Sequence, residues 1–244
     1  MSSIHIDIDK KAFYTEKGIY TAIADLKLEI ASNEFVCLVG PSGCGKTTLL
    51  NIVAGLDQHF EGGIGMERAG HDARIGYVFQ NPRLLPWCTL RRNIELVFHA
   101  PPPAALIDSL LSAMQLEEAQ HLFPGQLSLG MQRRAAIIRA FAVNPDVLLL
   151  DEPFVSLDAP TARLIRNLLY SLWLERPHTI LFVTHDLREA ITLADRLIFL
   201  NTAPMQIAAD IPVTLDRNER CEEAKIEAFR GRLLNHHPEI NALL

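Results

Sequence analysis

The chain has 244 residues, enough for one large α/β domain or two small ones around a sizeable core. Its formal net charge of −6 argues against non-specific nucleic-acid binding, because a phosphate backbone repels an acidic chain. No apolar run approaches the ~18 residues that span a bilayer, and the N-terminal MSSIHIDIDKK lacks a signal-type stretch.

Along the chain, Ile4, Ile6 and Ile8 alternate with polar residues, as do Leu26, Leu28 and Ile30. Both patterns predict half-buried antiparallel strands. Short, nearly continuous apolar runs follow at Phe35–Val39, Ile75–Phe79, Val147–Leu150, Thr179–Val183 and Arg196–Leu200. Such runs, each followed by a turn or helical pattern, predict a parallel sheet covered by helices. Between the second and third runs the pattern is helical over Leu90–Phe98, Ala104–Leu116 and Ser128–Ala142, with Pro101, Pro102 and Pro103 as a stiff break. A last amphipathic helix is expected around Asn218–Leu234. Cys37, Cys44, Cys88 and Cys221 have no zinc-site spacing and are too few for a disulfide framework, which fits a reducing cytoplasm.

After the first buried run comes Gly40-Pro41-Ser42-Gly43-Cys44-Gly45-Lys46-Thr47, which matches G-x-x-x-x-G-K-[ST]. Its glycines let the backbone wrap an anion and turn N–H groups inward, and the helix expected from Thr48 adds its positive end. Lys46 can reach the β- and γ-phosphates, and the Thr47 hydroxyl can ligate Mg²⁺. From average residue usage, a random chain of this length shows the pattern roughly 1% of the time. A nucleoside triphosphate site is therefore expected.

Val147–Leu150 ends on Asp151 and Glu152. At the C-terminal end of a buried strand, Asp151 suits Mg²⁺ and Glu152 suits a water that attacks the γ-phosphate. Alone, the pair would be an acidic turn; beside the phosphate loop it becomes a second half of one site.

With these motifs in place the chain resembles the ATPase subunit of ABC transporters over nearly its whole length. The resemblance implies an α/β P-loop NTPase core of ABC type with an antiparallel β subdomain and a helical insertion. It implies core segments at 1–84 and 146–213, a helical subdomain at 85–145 and a C-terminal helical extension at 214–244. Gln80, in Phe79-Gln80-Asn81-Pro82, falls at the family's Q-loop glutamine, which contacts Mg²⁺ and the attacking water. Leu127-Ser128-Leu129-Gly130-Met131 falls at the LSGGQ signature, where Ser128 and the Gly130 amide would cap the γ-phosphate held by a second subunit. Two positions depart from the family's pattern: Leu129 replaces its first glycine and Met131 its glutamine. Leu129 removes backbone freedom and adds bulk beside a phosphate.

Ser156-Leu157-Asp158 matches the D-loop at the dimer interface, and His185, which follows Glu152 by 33 positions, matches the switch histidine that bonds the γ-phosphate. The resemblance places an adenine-stacking aromatic near the N-terminus, for which Phe13 is preferred over Tyr14. The phosphate cradle would run through Thr48. ATP and Mg²⁺ are the implied cofactors.

Asn81–Trp87 resembles the segment that follows the Q-loop in nitrate, sulfonate and taurine importers. The implied partners are a second copy of the chain on ATP binding, a permease docking near Gln80–Trp87 and, indirectly, an external solute-binding protein. Leu84, Leu85 and Trp87 are either apolar anchors for that permease or residues packed internally against the helical insertion. The implied location is the cytoplasmic face of the cell membrane. An exporter or lipoprotein-release ATPase is the alternative, and a non-transport ATPase of the same family is less favoured.

Overall fold

The computed structural model describes residues 3–16, 18–67, 73–155, 157–202 and 204–243. The chain forms two compact units: residues up to 72 together with those from 179 onward, and Ala73–His178.

In the first unit, β1 (Ser3–Thr15) and β2 (Gly18–Ile30) pair antiparallel, with Ile4 opposite Ile30, Ile6 opposite Leu28 and Ile8 opposite Leu26. These six side chains are buried, as their alternation requires. Both strands run well beyond the alternating segments, so that Phe13 faces Tyr20 and Tyr14 faces Ile19. A third strand, β4 (Glu61–Glu67), covers the other edge of β1. Its EGGIGME sequence has Ile64 as its one strong strand former among three glycines, and tertiary pairing overrides that weak propensity. Gly62 sits at φ 123°, and a Cβ there would stand 2.1 Å from the Asp7 carbonyl oxygen.

The rest of this unit is built on β3 (Phe35–Val39), buried at every residue. It lies parallel to both β7 (Thr179–Thr184) and β8 (Arg196–Leu200), and β9 (Ile207–Pro212) closes the edge antiparallel to β8. The continuous apolar runs follow from burial on both faces. Among the described residues the α-helices of this unit are α1 (Lys46–Val53), α6 (Leu187–Leu193) and α7 (Glu223–His236). The last helix starts five residues later than Asn218 because a 3-10 turn occupies Arg217–Cys221. That turn is pinned from within: the buried Arg220 donates to the carbonyl oxygens of Ala194, Val213 and Leu215, and Arg217 pairs with Asp195.

The second unit holds β5 (Ile75–Val78) and β6 (Val147–Asp151) as a parallel pair, with α2 (Leu90–Glu95), α3 (Ala104–Ala113), α4 (Leu129–Ala142) and α5 (Ala159–Glu175). The helical segment expected over 85–145 falls inside this unit. Helix α2 stops at Glu95, short of Phe98, because the chain tightens: Val97 N–H and Phe98 N–H donate three residues back, to Ile94 and Glu95. Helix α3 stops at Ala113, short of Leu116, because Gln115 turns left-handed at φ 55° and the Leu116 amide reaches back to the Leu111 carbonyl. Among the described residues no helix is long and apolar enough to cross a membrane.

Candidate functional site

Strand β3 delivers the phosphate loop. Gly43 at φ 79° and Gly45 at φ 113° take left-handed conformations that only glycine adopts without strain. A Cβ on Gly40 would stand 2.8 Å from the Leu200 carbonyl oxygen, so that position is closed to larger residues. Gly45 caps α1, and neither a side-chain cap nor an acidic residue occupies the helix's first turn. The N–H groups and the positive helix end there suit an anion. Lys46 is 5% exposed, and its ammonium donates to the carbonyl oxygens of Gly40 at 2.7 Å and Pro41 at 2.9 Å. The charge is thus held against the loop that it serves. Ser42 and Thr47 are exposed, Thr48 is half-buried, and Cys44 is buried in the loop's interior. Helix α1 begins at Lys46 rather than Thr48, which puts Thr47 in its first turn.

A bulge at Ala22 brings the β1–β2 ladder against this loop. Lys11 pairs with Ile23 and Ala12 with Thr21, leaving Ala22 extra; its carbonyl accepts from the Met205 amide at 2.8 Å. Phe13 and Tyr14, being adjacent on a strand, point to opposite faces. Phe13 shares the face of buried Lys11, whose ammonium stands 4.7 Å from the Phe13 ring centre. Tyr14 is 88% exposed.

His185 leaves the same sheet edge as the phosphate loop. Val39 and Thr184 are register partners on neighbouring strands, so Gly40 and His185 are the next residues out on each. The Thr184 hydroxyl donates to Glu189 at 2.9 Å and accepts from the Asp186 amide at 3.1 Å, fixing the backbone on either side of exposed His185.

In the second unit, Val78 and Leu150 are register partners, and the chain beyond them carries Gln80 and the carboxylate pair. Asp151 is 2% exposed. Glu152 stands at φ 45°, left-handed for a non-glycine residue, and its carboxylate accepts a hydrogen bond of 3.0 Å from the Gln80 side-chain amide. Ser128 caps α4, its Oγ accepting from the Met131 amide at 3.2 Å. Asp158 caps α5 by accepting from the Thr161 amide at 3.0 Å, a bond that holds its carboxyl below the ordinary range. The two helix starts meet: a Cβ on Gly130 would lie 3.0 Å from Thr161 Cγ2. The start of α4 is unstrained despite Leu129. Neither Leu129 nor Gly130 has a positive φ, and the Leu129 side chain projects outward, 41% exposed. Its bulk therefore bears on whatever approaches this surface, and the helix start asks for no backbone conformation that a leucine cannot take. Ser156 lies outside the described residues.

One structural residue was missed in the sequence. Asn93 is buried and binds the segment after Gln80 on both sides, accepting from the Leu85 amide at 2.7 Å and donating to the carbonyl oxygens of Leu85, Cys88 and Thr89. Its signal was a polar residue among Leu90, Ile94 and Val97 on one helix face. The clamp shapes a loop on which Trp87 stands 72% exposed.

The profile of the ABC transporter family matches residues 23–155, from the β2 strand through the carboxylate pair. The nitrate import ATP-binding protein NrtD of Synechococcus elongatus is 40% identical over 237 residues, covering 92% of this chain and 85% of that protein. This chain belongs to the ABC transporter family. The aliphatic sulfonates import ATP-binding protein SsuB of Bacillus subtilis is 37% identical to this ABC protein, covering 96% of it and 93% of the relative. Among solved structures, the dimeric post-hydrolysis state of the ATP-binding cassette MJ0796 bound to ADP and Pi matches with a TM-score of 0.76 at 29% identity. That match covers 87% of this chain and 100% of that one. The fold is thus the ABC ATPase cassette, and the ABC protein described here is an ATP-binding ATPase.

Proposed function

We propose that this ABC protein is the ATP-hydrolysing subunit of an importer for a small inorganic or organic anion, nitrate or a sulfonate. The observation that carries the catalytic part is the Gln80–Glu152 hydrogen bond, which places a carboxylate at the end of a buried strand in a defined orientation. The Gly40–Thr48 loop takes the triphosphate through inward N–H groups and Lys46, and Phe13 stacks on adenine. Glu152 accepts a proton from water as it attacks the γ-phosphate, His185 bonds that phosphate, and Gln80 orients the carboxylate. Ser128, Gly130 and Asp158 of a second copy complete the shell, which makes the dimer the active form. Hard oxygen donors suit magnesium, and the residues that would hold it are Thr47, Asp151 and Gln80, through hydroxyl, carboxylate and amide oxygens. Magnesium, when bound, offsets charge on the β- and γ-phosphates.

The substrate class rests on the relatives, which are named for nitrate and aliphatic sulfonate import. The permease is assigned to the surface beside Gln80. There the second unit has a cavity of about 350 Å³ lined by Tyr77, Phe79, Leu85, Leu96 and Arg139, and the exposed Trp87 follows Leu85 by two positions in the chain. An apolar pocket fits the apolar face of a short helix, and Arg139, which donates to the Pro82 and Arg83 carbonyl oxygens, shapes its wall. An external solute-binding protein would deliver the anion, and the chain would sit on the inner membrane face through its permease.

The test is uptake. Vesicles carrying the complex purified on this chain should take up labelled nitrate or taurine only with internal ATP, and the Glu152→Gln complex should not. ATP-driven efflux of solute, or uptake that ignores ATP, would overturn the importer reading.

A further inference from the structure

Glu152 is held in an unfavourable backbone conformation. Its φ of 45° is left-handed, which costs a residue with a Cβ, and it precedes Pro153, whose ring further restricts the residue before it. Such a conformation persists only where the surroundings impose it. One side chain does so from another element. Arg133 lies on α4, is 6% exposed, and directs its Nη1 at two successive backbone carbonyl oxygens, Glu152 at 3.2 Å and Pro153 at 3.0 Å. The same guanidinium therefore fixes the two successive peptide groups that flank Pro153, immediately after Glu152. Helix α4 is also the helix whose first turn carries Ser128 and Gly130, so Arg133 ties the start of that helix to the backbone of the carboxylate.

We infer that Arg133 is a positioning residue for hydrolysis: by clamping the Glu152 and Pro153 carbonyls it holds the Glu152 carboxylate where it meets the attacking water. This rests on Glu152 being the base. A charged donor is suited to the task, because a guanidinium can bond two carbonyls at once and keeps its charge when buried. The two carbonyl dipoles that it bonds offset part of the cost of burying that charge, while its Nε is buried without a partner.

The distinguishing measurement is a double-mutant cycle on ATP turnover by the full chain, with nucleotide affinity and melting temperature read for each variant. Arg133→Met should lower kcat about tenfold or more while the KM for ATP changes less than about twofold. Arg133→Gln, which retains one short donor, should fall between it and the native chain, and it serves alone if Arg133→Met does not fold. In the Glu152→Gln background either substitution should cost nothing further, because a residue that acts only through the carboxylate has no effect once the carboxylate is gone. Additive losses would overturn the inference and make Arg133 a general packing residue, as would full turnover in Arg133→Gln and Arg133→Met. Full turnover in Glu152→Gln itself would overturn the assignment of the base, and the inference with it.

Discussion

The side-chain amide of Gln80 donates to the carboxylate of Glu152 across 3.0 Å, joining the residue that leaves β5 to the one that leaves β6. Neighbouring strands in register make the contact, so it depends on the sheet and not on a flexible loop. Replacing Gln80 with alanine removes the donor and should lower kcat about tenfold while leaving nucleotide affinity nearly unchanged. Gln80→Glu tests the electrostatics. A second carboxylate facing Glu152 disfavours its ionised form, so the acidic limb of the pH–rate profile should move to higher pH. An unmoved limb would separate Gln80 from the base.

Lys46 should matter for binding before it matters for chemistry. Its ammonium is already held by the Gly40 and Pro41 carbonyls, so the loop is preorganised around the charge. Lys46→Ala should raise the ATP dissociation constant at least about tenfold, measured by calorimetry. Lys46→Arg should not restore it, since the buried space that holds the compact ammonium is too small for the larger planar guanidinium.

The opposite faces of Phe13 and Tyr14 give another test. Phe13 stands on the side of Lys11 and opposite Tyr20, whereas Tyr14 points into solvent. Phe13→Ala should weaken ATP binding severalfold, by about 1 kcal/mol or more for a lost stacking surface. Tyr14→Ala should leave binding unchanged. The reverse result would reassign the adenine contact.

Acid sensitivity should trace in part to His178. The ring is buried beside Phe141, its Nε2 has no hydrogen-bond partner, and burial lowers its pKa from 6.5 to about 4. The folded state thus resists a proton that the unfolded chain accepts below pH 6.5. Stability is complete above that pH and declines as the pH falls toward 4, by on the order of 3 kcal/mol at full effect. His178→Phe should flatten the fall of melting temperature between pH 6.5 and 4. An equal slope in both proteins would place the acid lability elsewhere.

The residues explain why some of this was legible in the sequence and some was not. Runs buried on both faces, such as Phe35–Val39, announce themselves because no polar residue is tolerated there. The glycines of the phosphate loop announce themselves because φ 79° and φ 113° admit little else. Strand β4 did not, because its pairing with β1 is imposed from outside on a glycine-rich stretch. The left-handed Glu152 and the Arg133 clamp were hidden for the same reason: each is a relation between elements, and neither has a local pattern.

The Gly40–Thr48 loop is proposed to bind ATP and Glu152 to drive its hydrolysis. The most direct measurement is ATP affinity, phosphate release and oligomeric state of Glu152→Gln beside the native chain. Native affinity is expected, with phosphate release lower by about a hundredfold or more and a dimer that accumulates with ATP but not with ADP. Phosphate release at the native rate, or a monomer under saturating ATP, would contradict it.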